Sequence, residues 1–387
     1  MPQAQSPARA RKWIGRGGLA VLAGLVAFGV SPALPALAGS WSSPVQLPGS
    51  CGSSVAANKA GAMAAGGTFK AADGSTHVQV CTSPDGKTWQ ATDLGPGGDQ
   101  PHGGQHPVMA LSPNGRAVAL WGSTVGCPAA CSYILQASVR PPGGSWGGPV
   151  TLSTELNWGA GGLALGMDGS GNAIAVWVGF YADASHYAVL PASASTWGPA
   201  QTLSTYVQGD ARNLSLAVSP DGSAVVAYAT QHDAIWAVSG SILGGFSAPV
   251  FVGAGDYGKN SAPMVALDDA GQASLVWSES GGTRAATRSP GGAWSAATVL
   301  ASASSSSVAT AVDGAGNAIA VYGSSYSWHL AGGSWAPATP LPAGSSGGLV
   351  AADPAGSGSR GSLADLKIVP GLAVMLAAGA VSAETVT

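Results

Sequence analysis

This chain of 387 residues carries a formal net charge of −3, and only 9% of its residues are charged, against a usual share of about 25%. Such a balance builds no basic surface for nucleic acid. The 59 Gly and 26 Pro stand at fixed places between apolar runs, as turn residues do, which also excludes wholesale disorder.

From the amino end, residues 1–38 read as a secretory leader. Arg9, Arg11, Lys12 and Arg16 form its basic part, Gly17 to Val30 its apolar part, and Ala36-Leu37-Ala38 a small-x-small cleavage site. The apolar stretch falls short of the roughly 20 residues of a membrane span. Cleavage after Ala38 removes four of the 15 basic residues and none of the 18 acidic ones, leaving 11 against 18, a net charge of −7. The expectation is a secreted, extracellular protein without a nucleic-acid partner.

Trp41 to Leu47 reads as a lone strand. A first, degenerate unit follows at about 56–94, with a turn expected at Gly66-Gly67 and no aromatic six residues later. Five regular units come next, at about 107–152, 162–203, 213–252, 262–300 and 306–341. In each, a Gly precedes a large aromatic by six positions: Gly115 and Trp121, Gly171 and Trp177, Gly222 and Tyr228, Gly271 and Trp277, Gly316 and Tyr322. The turns before these strands hold Asn114, Asp168, Asp221, Asp269 and Asp313 beside Gly. A second aromatic follows a small-residue turn at Trp89, Trp146, Trp197, Phe246, Trp294 and Trp335. Counted from Trp41, these landmarks recur at spacings of 48, 57, 51, 49, 48 and 41 residues.

Four short strands in a period near fifty, without amphipathic helical stretches between units, predict an all-β propeller of four-stranded antiparallel blades. Radial closure buries each apolar sheet face on its neighbour. The domain is expected over 39–365. Residues 348–365, with Asp353-Pro354-Ala355-Gly356 as a turn, combine with 41–47 into a seventh blade that closes the ring; six blades is the alternative. The tail, 366–387, contains the apolar run Ile368 to Ala383, interrupted by Pro370-Gly371. It reads as a strand with a loose end or as a membrane tail, the one place where membrane contact is expected.

The heptad Ser83-Pro84-Asp85-Gly86-Lys87-Thr88-Trp89 resembles the Asp-box of sialidase-type propellers. There the box is a structural turn between the third and fourth strands, remote from the ligand. The resemblance implies a fold rather than an activity, and it orders the strands: the small-residue turn leads into strand four, the outermost.

Four cysteines in an exported chain point to disulfides. Three pairings are open. Cys127 and Cys131 share one loop, which leaves Cys51 with Cys81. Zinc lacks suitable spacing and a nearby His. Calcium at Asp168-Gly169-Ser170-Gly171-Asn172 competes with a plain turn, and His102 and His106 bracket glycines that disfavour a helical metal grip. No metal or cofactor is expected.

In the expected strand order, loops from strand two to three share a rim with loops from strand four to the next strand one. That rim collects Asp99, His102, His106, Glu155, Trp158, Tyr181, Asp183, His186, Tyr206, Asp210, Arg212, His232, Asp233, Asp256, Tyr257, Lys259, Glu279, Arg284 and Tyr326. Sialidase-type enzymes clamp a substrate carboxylate with three arginines. Here Arg212 and Arg284 fall on the rim, while Arg116, Arg140 and Arg288 map to the opposite face. The expectation is therefore a non-catalytic, monomeric binding propeller for an extracellular glycan or protein. Trp158, Tyr181, Tyr206 and Tyr257 stack on the ligand, and Asp210, Arg212 and Asp256 hydrogen-bond to it. A sialidase-like or other glycoside hydrolase or lyase, using Asp210, Asp256 or Glu155, is one alternative, and a structural envelope protein is another.

Overall fold

The computed structural model describes residues 50–341, apart from 52–53, 59–60, 98–106, 126–131, 155–161, 179–183, 206–210, 231–233, 256–262 and 314–315. The leader, the strand expected at 41–47, the segment 348–365, the tail, Cys127 and Cys131 therefore lie outside the described residues.

Among the described residues six antiparallel sheets follow one another along the chain. The first holds β1 (Ser54–Ala57), β2 (Met63–Lys70), β3 (Thr76–Ser83) and β4 (Gln90–Pro96). The second holds β5 (Val108–Leu111), β6 (Ala117–Val125), β7 (Ser132–Arg140) and β8 (Val150–Ser153). The third holds β9 (Leu163–Met167), β10 (Ala173–Val178), β11 (Ala184–Leu190) and β12 (Gln201–Thr205). In the fourth, β13 (Ala211–Val218), β14 (Ser223–Thr230) and β15 (Ala234–Ser241) are flanked by an outer strand in two pieces, β16 (Gly245–Phe246) and β17 (Val250–Ala254). The fifth holds β18 (Met264–Leu267), β19 (Ala273–Glu279), β20 (Gly282–Arg288) and β21 (Thr298–Ala301). The sixth holds β22 (Val308–Val312), β23 (Ala318–Tyr322), β24 (Ser325–His329) and β25 (Thr339–Pro340). First strands pack in succession, β1 on β5, β5 on β9, β9 on β13, β13 on β18 and β18 on β22. This is the blade-on-blade packing of a β-propeller.

Side-chain alternation explains the stacking. In β10, Ile174, Val176 and Val178 point to the fourth blade, where they meet Leu214, Val226 and Tyr228. Ala175 and Trp177 point to the second, against Leu120 and Leu135. Trp121, Tyr228, Trp277 and Tyr322 likewise press on the preceding blade. Three of these wedges also bond to that blade's outer strand. Tyr228 Oη lies 3.1 Å from Ser204 Oγ, Trp277 Nε1 donates to the Ala254 carbonyl at 2.7 Å, and Tyr322 Oη donates to the Leu300 carbonyl at 3.3 Å. Burial pushes the Tyr228 hydroxyl up to about 12. Room for the indoles comes from glycine: a Cβ on Gly253 would sit 2.7 Å from the Trp277 ring.

The turns joining first and second strands share one construction. Their opening residues are Asn58, Ser112, Asp168, Ser219, Asp268 and Asp313, and a glycine three positions on has φ between +80° and +90°. In five of these turns the opening side chain accepts the N–H four residues on, as Asp168 Oδ1 does from Asn172 at 2.8 Å and Asp313 Oδ1 from Asn317 at 2.9 Å. This satisfies a backbone donor that the hairpin would otherwise leave unpaired. One sequence expectation is corrected here. The first blade turns at Asn58–Ala62, so Gly66 and Gly67 lie inside β2. In the fifth blade Asp269 lies in the turn as expected, and Asp268 before it accepts the N–H groups of Ala270 and Gln272; burial raises the Asp268 carboxyl pKa.

Candidate functional site

One row of side chains recurs beside the wedges. Directly across the second and third strands, Trp121 pairs with Gln136, Trp177 with His186, Tyr228 with Trp236, Trp277 with Arg284 and Tyr322 with Ser325. In the first blade the pair is Gly67 and Gln79. One strand further out come Asp93, Thr151, Thr202, Phe251, Val299 and Pro340. Directly opposed residues share a sheet face. The second to sixth blades therefore each aim a triplet at the blade before: a buried wedge, a half-buried third-strand residue and an exposed fourth-strand residue. Blades diverge with radius, so each triplet lines an outward-opening cleft.

The register between third and fourth strands shifts beside this row in five blades, at His77/Gln79, Leu135/Gln136, Ser185/His186, Ile235/Trp236 and Thr283/Arg284. Such bulges bend an outer strand and re-aim its side chains. The scaffold repeats but the chemistry does not: amide, imidazole, indole, guanidinium and hydroxyl occupy equivalent places. Trp236 and Phe251 meet edge to face with centroids 5.7 Å apart, and Phe251 is 55% exposed. Across that cleft Tyr187 donates to Gln201 Oε1 at 2.7 Å and meets Phe246 at 5.1 Å. In the third blade the Trp177 and His186 rings lie 5.9 Å apart.

Among the expected rim residues, Glu279 and Arg284 are brought together. They flank the tight turn between β19 and β20, where Arg284 Nε donates to Glu279 Oε1. Glu279 is buried and fixes the half-exposed guanidinium at the cleft mouth. Tyr326 is a correction. It is 9% exposed, packs with Ile319, Val321 and Leu341, and meets Trp328 edge to face, so it belongs to the core of the sixth blade. Trp158, Tyr181, Tyr206, Asp210, Asp256, Tyr257 and Glu155 lie outside the described residues, and of Arg212 only the backbone in β13 is described.

Two of the three arginines mapped to the opposite face, Arg116 and Arg288, tie neighbouring structure together. Arg116 is buried and donates to the carbonyls of Gly171, Pro191 and Ala194 in the third blade, at 3.0, 2.9 and 2.8 Å. Arg288 donates to Ser239 Oγ of the fourth blade and lies over the Trp294 ring, 5.5 Å from its centroid. Burial lowers the pKa of both guanidinium groups. The sequence reading missed Gln136, Trp236 and Phe251. The available signal was their position opposite the glycine-plus-six aromatics, which becomes visible only once third strands are aligned in register.

No protein-family model matches this sequence, and a search of curated proteins finds no relative. Solved structures do share its fold. The BP39L lectin from Burkholderia pseudomallei superposes with a TM-score of 0.55 at 16% identity, over 77% of this chain and 87% of that one. AofleA from Arthrobotrys oligospora gives 0.45 at 12% identity, over 76% and 87%. The NanB sialidase from Streptococcus pneumoniae gives 0.42 at 10%, over 70% and 64%. At these identities the likeness is of fold alone, and only the first superposition is tight enough to argue from. It supports the propeller architecture read from the sheets.

Proposed function

We propose that this protein is a secreted, non-catalytic carbohydrate-binding propeller that takes its ligand at the outward clefts and the rim above them. The bulged row carries this reading: a repeated scaffold holds side chains of differing chemistry, half-exposed, beside fixed aromatics. In the cleft before the fourth blade, Trp236 and Phe251 offer ring faces and edges to the apolar side of a sugar, with the Gln201 amide near by. In the cleft before the fifth blade, Arg284 offers its outer amines to ring hydroxyls. On the rim, Trp158, Tyr181, Tyr206 and Tyr257 add stacking platforms, and Asp210, Arg212 and Asp256 hydrogen-bond to the glycan. A propeller of the same fold, BP39L, is itself a lectin, which supports the class of ligand. Export fits the leader, the net charge and a disulfide between Cys51 and Cys81.

A glycan array probed with the full chain tests the proposal. Binding to a defined subset of glycans, weakened about tenfold by Trp236→Ala, is the expected result. An array without binding, or binding indifferent to Trp236, Arg284 and the rim aromatics alike, would sink it. Turnover of a glycoside that is lost on changing Asp210 or Glu155 would move the protein to the hydrolase class.

A further inference from the structure

The first blade has no wedge. Six positions beyond its turn glycine, Gly61, stands Gly67, where the other five blades have Trp or Tyr. Gly67 lies on the face of β2 turned away from the second blade, the side on which the other wedges project, because Ala64 and Gly66 face the second blade. The space is filled all the same. A Cβ on Gly67 would fall inside the Ser50 carbonyl oxygen and would crowd Cys51 Cα. The Ser50 N–H donates to Gln79 Oε1 at 2.9 Å, so this strap also occupies the row residue of its blade. Cys51, 1% exposed, is bonded to Cys81 of β3, and Ala65, Val55 and Trp89 close around the pair.

We propose that the Ser50–Cys51 strap is a covalently held replacement for the missing wedge, and that the Cys51–Cys81 disulfide makes it a redox-operated latch on the first blade. The other wedges are side chains and cannot leave without unfolding a strand. Among the described residues, the strap is main chain held by its sulfur–sulfur bond to Cys81 and its hydrogen bond to Gln79. A dithiol reductant opens the latch. Both cysteines are buried, so the attack follows local opening of the blade: the reductant's thiolate attacks one sulfur and breaks the bond, and its second thiol then resolves the mixed disulfide. Two cysteine thiols form as the reductant becomes a disulfide. The strap then lifts, and bare Gly67 leaves nothing wedged against β2 and β3. The first blade thus locks only in an oxidising compartment, whereas the third to sixth blades, which hold no cysteine, pack in either.

Hydrogen exchange on the full chain, with and without dithiothreitol, tests this. On reduction, amides of Met63–Ser83 are expected to exchange at least tenfold faster, while those of Ala273–Arg288 in the fifth blade keep their rates. Unchanged rates in the first blade, or equal acceleration in both, would overturn the proposal. Gly67→Ala in the oxidised protein separates the seat from the sulfur chemistry, because its Cβ displaces the strap with every cysteine intact. It is expected to speed exchange in Met63–Ser83 selectively, and wild-type rates there would equally overturn the proposal.

Discussion

Two rows of side chains run side by side through the second to sixth blades, one strand apart, and they obey different rules. The wedge row is buried and nearly uniform, with Trp121, Trp177, Tyr228, Trp277 and Tyr322 inserted into the preceding blade. The adjacent row is half-buried and varied, with Gln136, His186, Trp236, Arg284 and Ser325. Close packing explains the first: a wedge has to fill a socket of fixed volume, and smaller side chains leave a cavity. The second row lines a cleft that widens outward, so the sheet tolerates any side chain there. Uniformity marks what builds the ring, and variation at equivalent sites marks what is free to recognise a ligand.

The contrast predicts a graded set of outcomes. Trp277→Ala should cost about 3–5 kcal/mol, the largest effect, read as a fall in the thermal or denaturant midpoint. Replacing its neighbour in register, Arg284, together with Glu279, so that no buried carboxylate is left unpaired, should cost far less, and a comparable loss would erase the distinction between the rows. Removing Cys51–Cys81, which closes a separation of 30 residues, should cost about 3–4 kcal/mol in the same measurement. Asp168→Ala should cost about 1–3 kcal/mol, because it strands the N–H groups of Ser170 and Asn172 and the Asn172 amide. Trp236→Ala together with Phe251→Ala should leave the fold in place and weaken glycan binding about tenfold by calorimetry.

The smallest effect concerns His329. It is 6% exposed, packs on Trp335 with centroids 5.3 Å apart, and its buried Nδ1 has no hydrogen-bond partner among the described residues. Burial lowers its pKa from the ordinary 6.5. The unfolded chain therefore binds the proton first, so stability is full above about pH 6.5 and declines as pH falls from there toward the folded value. His329→Gln should flatten that part of a melting-midpoint profile, and a slope unchanged by the substitution would assign it to other groups.

Much of the fold was legible because its determinants are local and periodic. A turn glycine forced to positive φ and an aromatic six residues later fix each second strand and the face it buries. The first blade broke that rule. Gly61 has no aromatic partner, so Gly66-Gly67 looked like the turn, and only the strap lying over Gly67 explains why glycine stands there. The cleft row was illegible in the sequence because it has no common residue type. Its identity lies in cross-strand register and in a bulge, neither of which leaves a composition signal. Tyr326 shows the reverse failure: placed near a strand end by counting, it is turned inward by alternation.

Each wedge reaches backward along the chain, never forward. Tyr228 takes hold of β12, Trp277 of β17 and Tyr322 of β21, all made earlier on the ribosome. The ring therefore has a direction. A growing polypeptide always completes a socket before it presents the ring that fills it, so each finished blade is a template for the next. Deleting a blade from the carboxyl end would leave every remaining wedge seated, whereas deleting one from the middle would orphan the wedge that follows it.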